Sequence, residues 1–290
     1  MALNLGGGSM TSSFNSLYLR NAQSMLNQSL MRLSSGKRIL RPSDDPGGLA
    51  VSMKLQNALT VTSATKQNID NAKSYIDTQD AALSSVGTIL DRMSTLVTSY
   101  GSGTANTSDK ASYASEFKEL QAQLFAFKGE KFNSISLFSS QGISRNVYLS
   151  SEGSAGATIS VSTLDLSSAL SIGTGKSLSA QRYGSNAISI SDASVSIGSI
   201  TSAINSVASL RAQSGATSSR LQFSTDYLST SMLNLEEARS RIVDVDVAEE
   251  TTNMAKYNLQ VYAASAALVQ SNLNMGIVVD LLNFSTMSRR

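Results

Sequence analysis

Five stretches of the chain repeat their apolar residues at helical spacing, and one stretch between them alternates with a period of two. In the first, Leu19, Leu26, Leu30 and Leu33 share a seam, predicting a helix from about Ser13 to Ser35 that Gly36 stops. The loop RPSDDPGG follows, holding the only prolines, Pro42 and Pro46, with Asp45 as N-cap and Pro46 at the first helical position. Beyond it Ile69, Ile76, Leu83, Leu90 and Val97 recur every seven residues, while Ala72, Gln79, Val86, Met93 and Tyr100 fill the alternate position of a coiled-coil seam. An unbroken helix from Pro46 to Tyr100 would be about 80 Å long, which predicts a rod.

GSGTANT (101–107) reads as a turn, with Ser108 capping a third helix whose face is Tyr113, Phe117, Leu120, Leu124 and Phe127. Between Phe132 and Ser194 the pairs Ile135 and Leu137, Val147 and Leu149, Ile159 and Val161, and Ile188 and Ile190 predict short hairpins separated by Ser/Gly turns. Helical spacing returns at Ile197, Ile200, Ile204 and Val207, falters at Arg211, Ser214 and Gly215, and resumes with Leu221, Leu228, Met232 and Leu235. Asp246 with Glu249 resembles a capping box. Downstream Val247, Met254, Val261, Leu268, Met275 and Leu282 keep seven-residue spacing, and Leu259, Tyr262, Ala266, Val269, Leu273 and Ile277 form a second strip. One neighbouring helix cannot cover both.

Burying six apolar side chains contributes about 9 to 18 kcal/mol, whereas ordering roughly 35 residues costs about 1 to 2 kcal/mol each. Both terminal segments are therefore expected to be mobile in a lone molecule and ordered when copies pack; a closed intramolecular bundle is the alternative.

Composition narrows the chemistry. His, Cys and Trp are absent and only 15% of residues are charged, against about 25% in typical domains. No imidazole or thiol nucleophile and no His/Cys zinc site can be built. The net charge of +2 is dispersed along the chain, so neither nucleic acid nor an anionic membrane is an expected partner. MALNLGGGSM lacks the basic start and apolar run of a cleaved signal peptide. Tyr257–Val279 is uncharged but carries amides throughout, which argues for a buried or partner-facing helix over a membrane span.

Local motifs add little chemistry. GTGKS (Gly173–Ser177) has Leu170 where a phosphate loop needs its first glycine. Asp44 and Asp45, like Asp244 and Asp246, read as caps and dipole partners rather than acid/base pairs. Lys37, Arg38 and Arg41 read as a solvated or intersubunit salt-bridge face. No catalytic, cofactor or metal site emerges.

Two segments carry a family resemblance. RLSSGKRILRPSDDPGGLAV (Arg32–Val51) resembles the amino-terminal signature of bacterial flagellins, and LEEARSRIVDVDVAEETTNM (Leu235–Met254) resembles their carboxy-terminal signature, in the same order at opposite ends. KFNSISLF (Lys131–Phe138) and SEGSAGATISVSTLDL (Ser151–Leu166) are similar to the hairpin region of that family, although Ser134 stands where glycine is common. Lys176–Val195 is the variable piece.

The resemblance implies a mainly α fold: an elongated antiparallel long-helix bundle or coiled coil with a small β-hairpin region, its terminal helices forming an inner coiled coil. The implied divisions are 1–43 and 241–290 for the inner tube, 44–130 and 196–240 for the rod helices, and 131–195 for the hairpin and variable region. It implies a non-enzymatic, cofactor-free structural subunit that leaves the cell unfolded through the flagellar secretion apparatus and polymerises into the extracellular filament. Implied partners are further copies, an export chaperone, and the cap and hook-junction proteins. A hook-filament junction protein is the alternative, since Pro42–Pro46 suits that relative too. Arg92, Leu96 and Glu116 match positions that flagellins present to an innate-immune receptor, though Ser94 and Thr95 depart from the usual charged pair.

Overall fold

The computed structural model describes residues 6–149, 157–172, 176–177, 189–192 and 195–287. Its helices are α1 (Gly6–Ser35), α2 (Pro46–Tyr100), α3 (Thr107–Lys128), the single turn α4 (Leu166–Ala169), α5 (Ile197–Val243) and α6 (Val247–Met287). Between α3 and α5 lie three antiparallel strand pairs: β1 (Lys131–Phe132) with β2 (Ile135–Ser136), β3 (Ser144–Tyr148) with β4 (Thr158–Ser162), and β5 (Ser171–Ile172) with β6 (Lys176–Ser177). The fold is mainly α with small hairpins. Two compact units form, one of Met1–Asn57 with Leu235–Arg290 and one of Ala58–Asn234. Their boundaries fall inside α2 and α5.

In the 58–234 unit the seven-residue seam of α2 is the core. Ile69, Ile76, Leu83 and Leu90 are buried with Val86 and Met93, against Phe117 and Leu124 of α3 and Ile200, Val207, Leu221 and Leu228 of α5. Val97, Ala72 and Tyr100 are half-buried at its margin. Ile159, Val161, Leu164, Leu166 and Leu170 cover one part of the same core, with Ile190 beside them in a turn rather than a strand.

The polar interruption in α5 does not break the helix. Ser214 is buried and donates to Gln79 Oε1 at 3.3 Å, while Gln79 Nε2 donates to the Leu137 carbonyl at 2.7 Å. A polar seam residue on each helix is thus satisfied by the other, as a buried polar group requires. Arg211 makes a two-pronged ion pair with Asp80 at 2.9 and 3.2 Å.

Two local expectations need correction. The cap of α3 is Asn106, not Ser108: its side chain accepts from Asp109 N–H at 2.8 Å and Asp109 reaches back to the Asn106 N–H, a reciprocal box that starts the helix at Thr107. α1 begins at Gly6 rather than near Ser13, since each residue added to an existing helix gains a hydrogen bond even where no apolar stripe marks it. In GTGKS, Lys176 and Ser177 form β6, paired with β5, whereas the lysine and hydroxyl of a phosphate loop open a helix. Gly173–Gly175, Ile188 and most of the variable piece lie outside the described residues.

The β1–β2 turn holds Asn133 at φ +47° and Ser134 at φ +64°, the pair of left-handed residues that a two-residue hairpin demands. Asn tolerates that region; Ser does so at about 1 to 2 kcal/mol. Ser134→Gly relieves this while adding about 0.4 to 1 kcal/mol of unfolded-state freedom. The expected net is a stabilisation of about 0.5 to 1 kcal/mol in urea unfolding, and an unchanged midpoint would contradict it.

Candidate assembly interface

The two signature segments meet in the terminal unit. Gly36, at φ +70°, ends α1 and turns the chain. Arg38 N–H then donates to the Val243 carbonyl at 2.6 Å and Val245 N–H to the Gly36 carbonyl at 3.0 Å, with Lys37 and Asp244 paired antiparallel between them. Arg38 Nη2 adds a bond to the Ile242 carbonyl at 2.8 Å. Arg38 thus binds its own chain's backbone. The link between α1 and α2 is stitched to the link between α5 and α6.

The acids of these links are caps. Asp44 Oδ2 accepts from Leu40 and Arg41 N–H at 3.1 and 3.0 Å, and the Arg41 and Leu40 amides hold its carboxyl below the usual range. Asp45 Oδ1 accepts from Gly48 N–H at 2.8 Å and opens α2. A Cβ at Gly48 would stand 2.3 Å from Asp45 Oδ2, so this glycine is what lets the cap close. Asp246 Oδ1 accepts from Ala248 and Glu249 N–H at 2.9 and 3.2 Å, opening α6.

α1 and α6 pack on each other. On α1 the inward row is Leu19, Ala22, Leu26, Ser29 and Leu33, alternating by three and four residues, with Ala22 and Ser29 buried. Leu30, expected in that seam, is exposed because Ser29 occupies the position. The Ser29 hydroxyl donates to the buried Glu250 carboxylate, which Arg32 Nη1 approaches at 3.9 Å. Sequence reasoning missed Ser29 and Glu250; the signal available was that serine, not leucine, falls on the three-four ladder.

On α6 Met254, Val261, Leu268 and Met275 are half-buried at seven-residue spacing. Val247 departs from the row, 59% exposed at the first helical residue. The side chain of Leu282 lies outside the described residues.

The second strip of α6 remains uncovered within the chain. Leu259 and Tyr262 are 69% and 67% exposed, and Val269, Leu273 and Ile277 are more than half exposed. Phe14, Leu17 and Tyr18 are also exposed on α1. Isolated apolar side chains are normal on a surface, but a continuous run along a helix marks an interaction site. Among the described residues no helix is long and apolar enough to cross a membrane.

Arg92, Leu96 and Glu116 do not form one exposed patch. Arg92 and Glu116 pair with each other through two hydrogen bonds of 2.6 and 2.9 Å, which hold the Glu116 carboxyl below its usual range. Leu96 is 2% exposed, packed in the core, and is removed from any receptor-facing surface.

Comparison with known proteins extends the picture along the chain. A family model described as the bacterial flagellin N-terminal helical region matches residues 9–142, and one described as the bacterial flagellin C-terminal helical region matches residues 197–282. A flagellin of Halalkalibacterium halodurans is 30% identical over 91% of this chain and 95% of its own. A flagellin of Listeria monocytogenes is 28% identical over 92% of this chain and 95% of its own. The solved structure of a putative flagellar hook-associated protein from Vibrio parahaemolyticus covers 69% of this chain and all of its own, with a TM-score of 0.58 at 17% identity. At that identity the likeness is one of fold alone.

Proposed function

Since the chain belongs to the bacterial flagellins and is a structural subunit of the extracellular flagellar filament, we propose that the uncovered strip of its terminal helix pair is the surface that copies shelter for one another. The observation that carries this is the double periodicity of α6: one row lies against α1, and the other, from Leu259 to Ile277, is in water. Burying the four aliphatic side chains of that row contributes about 6 to 12 kcal/mol per subunit, enough to drive association. A repeated head-to-tail contact whose rotation does not close builds a helical polymer instead of a ring.

The subunit transmits torque as part of a semi-rigid propeller and catalyses nothing. It leaves the cell unfolded through the flagellar secretion apparatus, a route that a chain with no cysteine and two prolines does not obstruct. An export chaperone would cover the same apolar strip before assembly, and the cap and hook-junction proteins would meet it at the two filament ends. The hook-junction alternative draws no support from the flagellin relatives.

Salting out the purified full-length chain, with sedimentation and electron microscopy of the pellet, tests the reading. Helical filaments of uniform diameter are expected; soluble monomer at every concentration, or shapeless aggregate, would contradict it.

A further inference from the structure

Two apolar features of the 58–234 unit remain unused by that reading. On α5, Phe223 and Tyr227 stand one turn apart and are 74% and 71% exposed, flanked in sequence by the buried Leu221 and Leu228. Asp226, between them, accepts from Gln222 Nε2 at 3.0 Å and pairs with no cation among the described residues. The result is an aromatic knob carrying one carboxylate.

Elsewhere on the same unit Ala72 and Tyr75 of α2, Phe132, Ile135 of β2 and Val147 of β3 line an apolar groove of about 370 Å³. Arg145 lines it as well, and its guanidinium makes no hydrogen bond or ion pair among the described residues. The cavity is of the size that accepts inserted apolar groups. Its own chain's knob does not fill it, since Phe223 and Tyr227 are in water.

We propose that Phe223 and Tyr227 of one copy seat in this groove on a neighbouring copy, with Asp226 facing Arg145. The occupant is a second copy because the chain self-assembles and the two surfaces complement each other in charge. An aromatic pair meets an apolar recess, a carboxylate meets a guanidinium, and the guanidinium can also lie over the Tyr227 ring. Knob and groove are different surfaces, so the contact is head-to-tail and propagates along a filament. It rests on the assembly reading above but involves none of the same residues.

Charge exchange in the full chain tests it. Arg145→Asp and Asp226→Arg should each raise the concentration needed for filament growth by at least about tenfold, with monomer helicity and melting unchanged. The double variant should recover most of the loss. Tyr227→Ser should weaken growth without being rescued by either. Single variants that polymerise like the unsubstituted chain, or a double variant no better than the singles, overturn the contact and assign the groove to another occupant. Absence of filaments from the unsubstituted chain under the same conditions instead overturns the assembly reading, and this contact with it.

Discussion

Replacing Tyr262 and Leu273 together with aspartate is expected to abolish filament assembly while leaving the isolated chain folded. Both side chains are more than half exposed on the outer strip of α6, so in the lone molecule the new carboxylates stay in water and change stability by about 0.5 kcal/mol or less each. In the proposed assembly the same positions are covered by another copy. An unpaired charge there carries an effective penalty of several kcal/mol, and two of them raise the critical concentration by more than about a thousandfold. Sedimentation of salted-out protein measures the first effect and circular dichroism the second. Filaments of normal yield from the double variant would contradict this role for the strip.

The second large effect is on stability. Phe117 is fully buried on α3 within the core built around the α2 seam. Phe117→Ala removes a ring from a packed interior and leaves a cavity, at about 3 to 5 kcal/mol. The expected outcome is a lower urea midpoint for the 58–234 unit with an unchanged slope. A loss under about 1 kcal/mol would mean that this core is looser than its burial indicates.

What could be read from sequence followed from periodicity. The seven-residue spacing of Ile69, Ile76, Leu83 and Leu90 locates the α2 core because each of these side chains is buried in the structure. The α6 rows are separable for the same reason: Met254, Val261 and Leu268 lie inward, one helical position from an outer row of equal hydrophobicity.

Periodicity fails where a polar residue takes the seam. Ser29 displaces Leu30 because Glu250 needs a donor, and Ser214 continues α5 because Gln79 needs one. Those pairings join residues 221 and 135 positions apart, beyond the reach of any local pattern. The Asn106 cap was legible in principle, since an acid stands three residues on, but Ser108 competed as the nearer hydroxyl.

The signature segments raise the same point at larger scale. Their residues include backbone partners, Gly36 with Val245 and Arg38 with Val243, whose pairing across the whole chain only the fold reveals.

Oxidative footprinting of Tyr262 and Leu273, in the isolated chain and in filaments of the same protein, addresses the central claim most directly. Strong labelling of both residues in the monomer, and protection of both in the filament, is the expected result. Equal labelling in the two states would mean that the strip stays in water after assembly, and that some other surface holds the copies together.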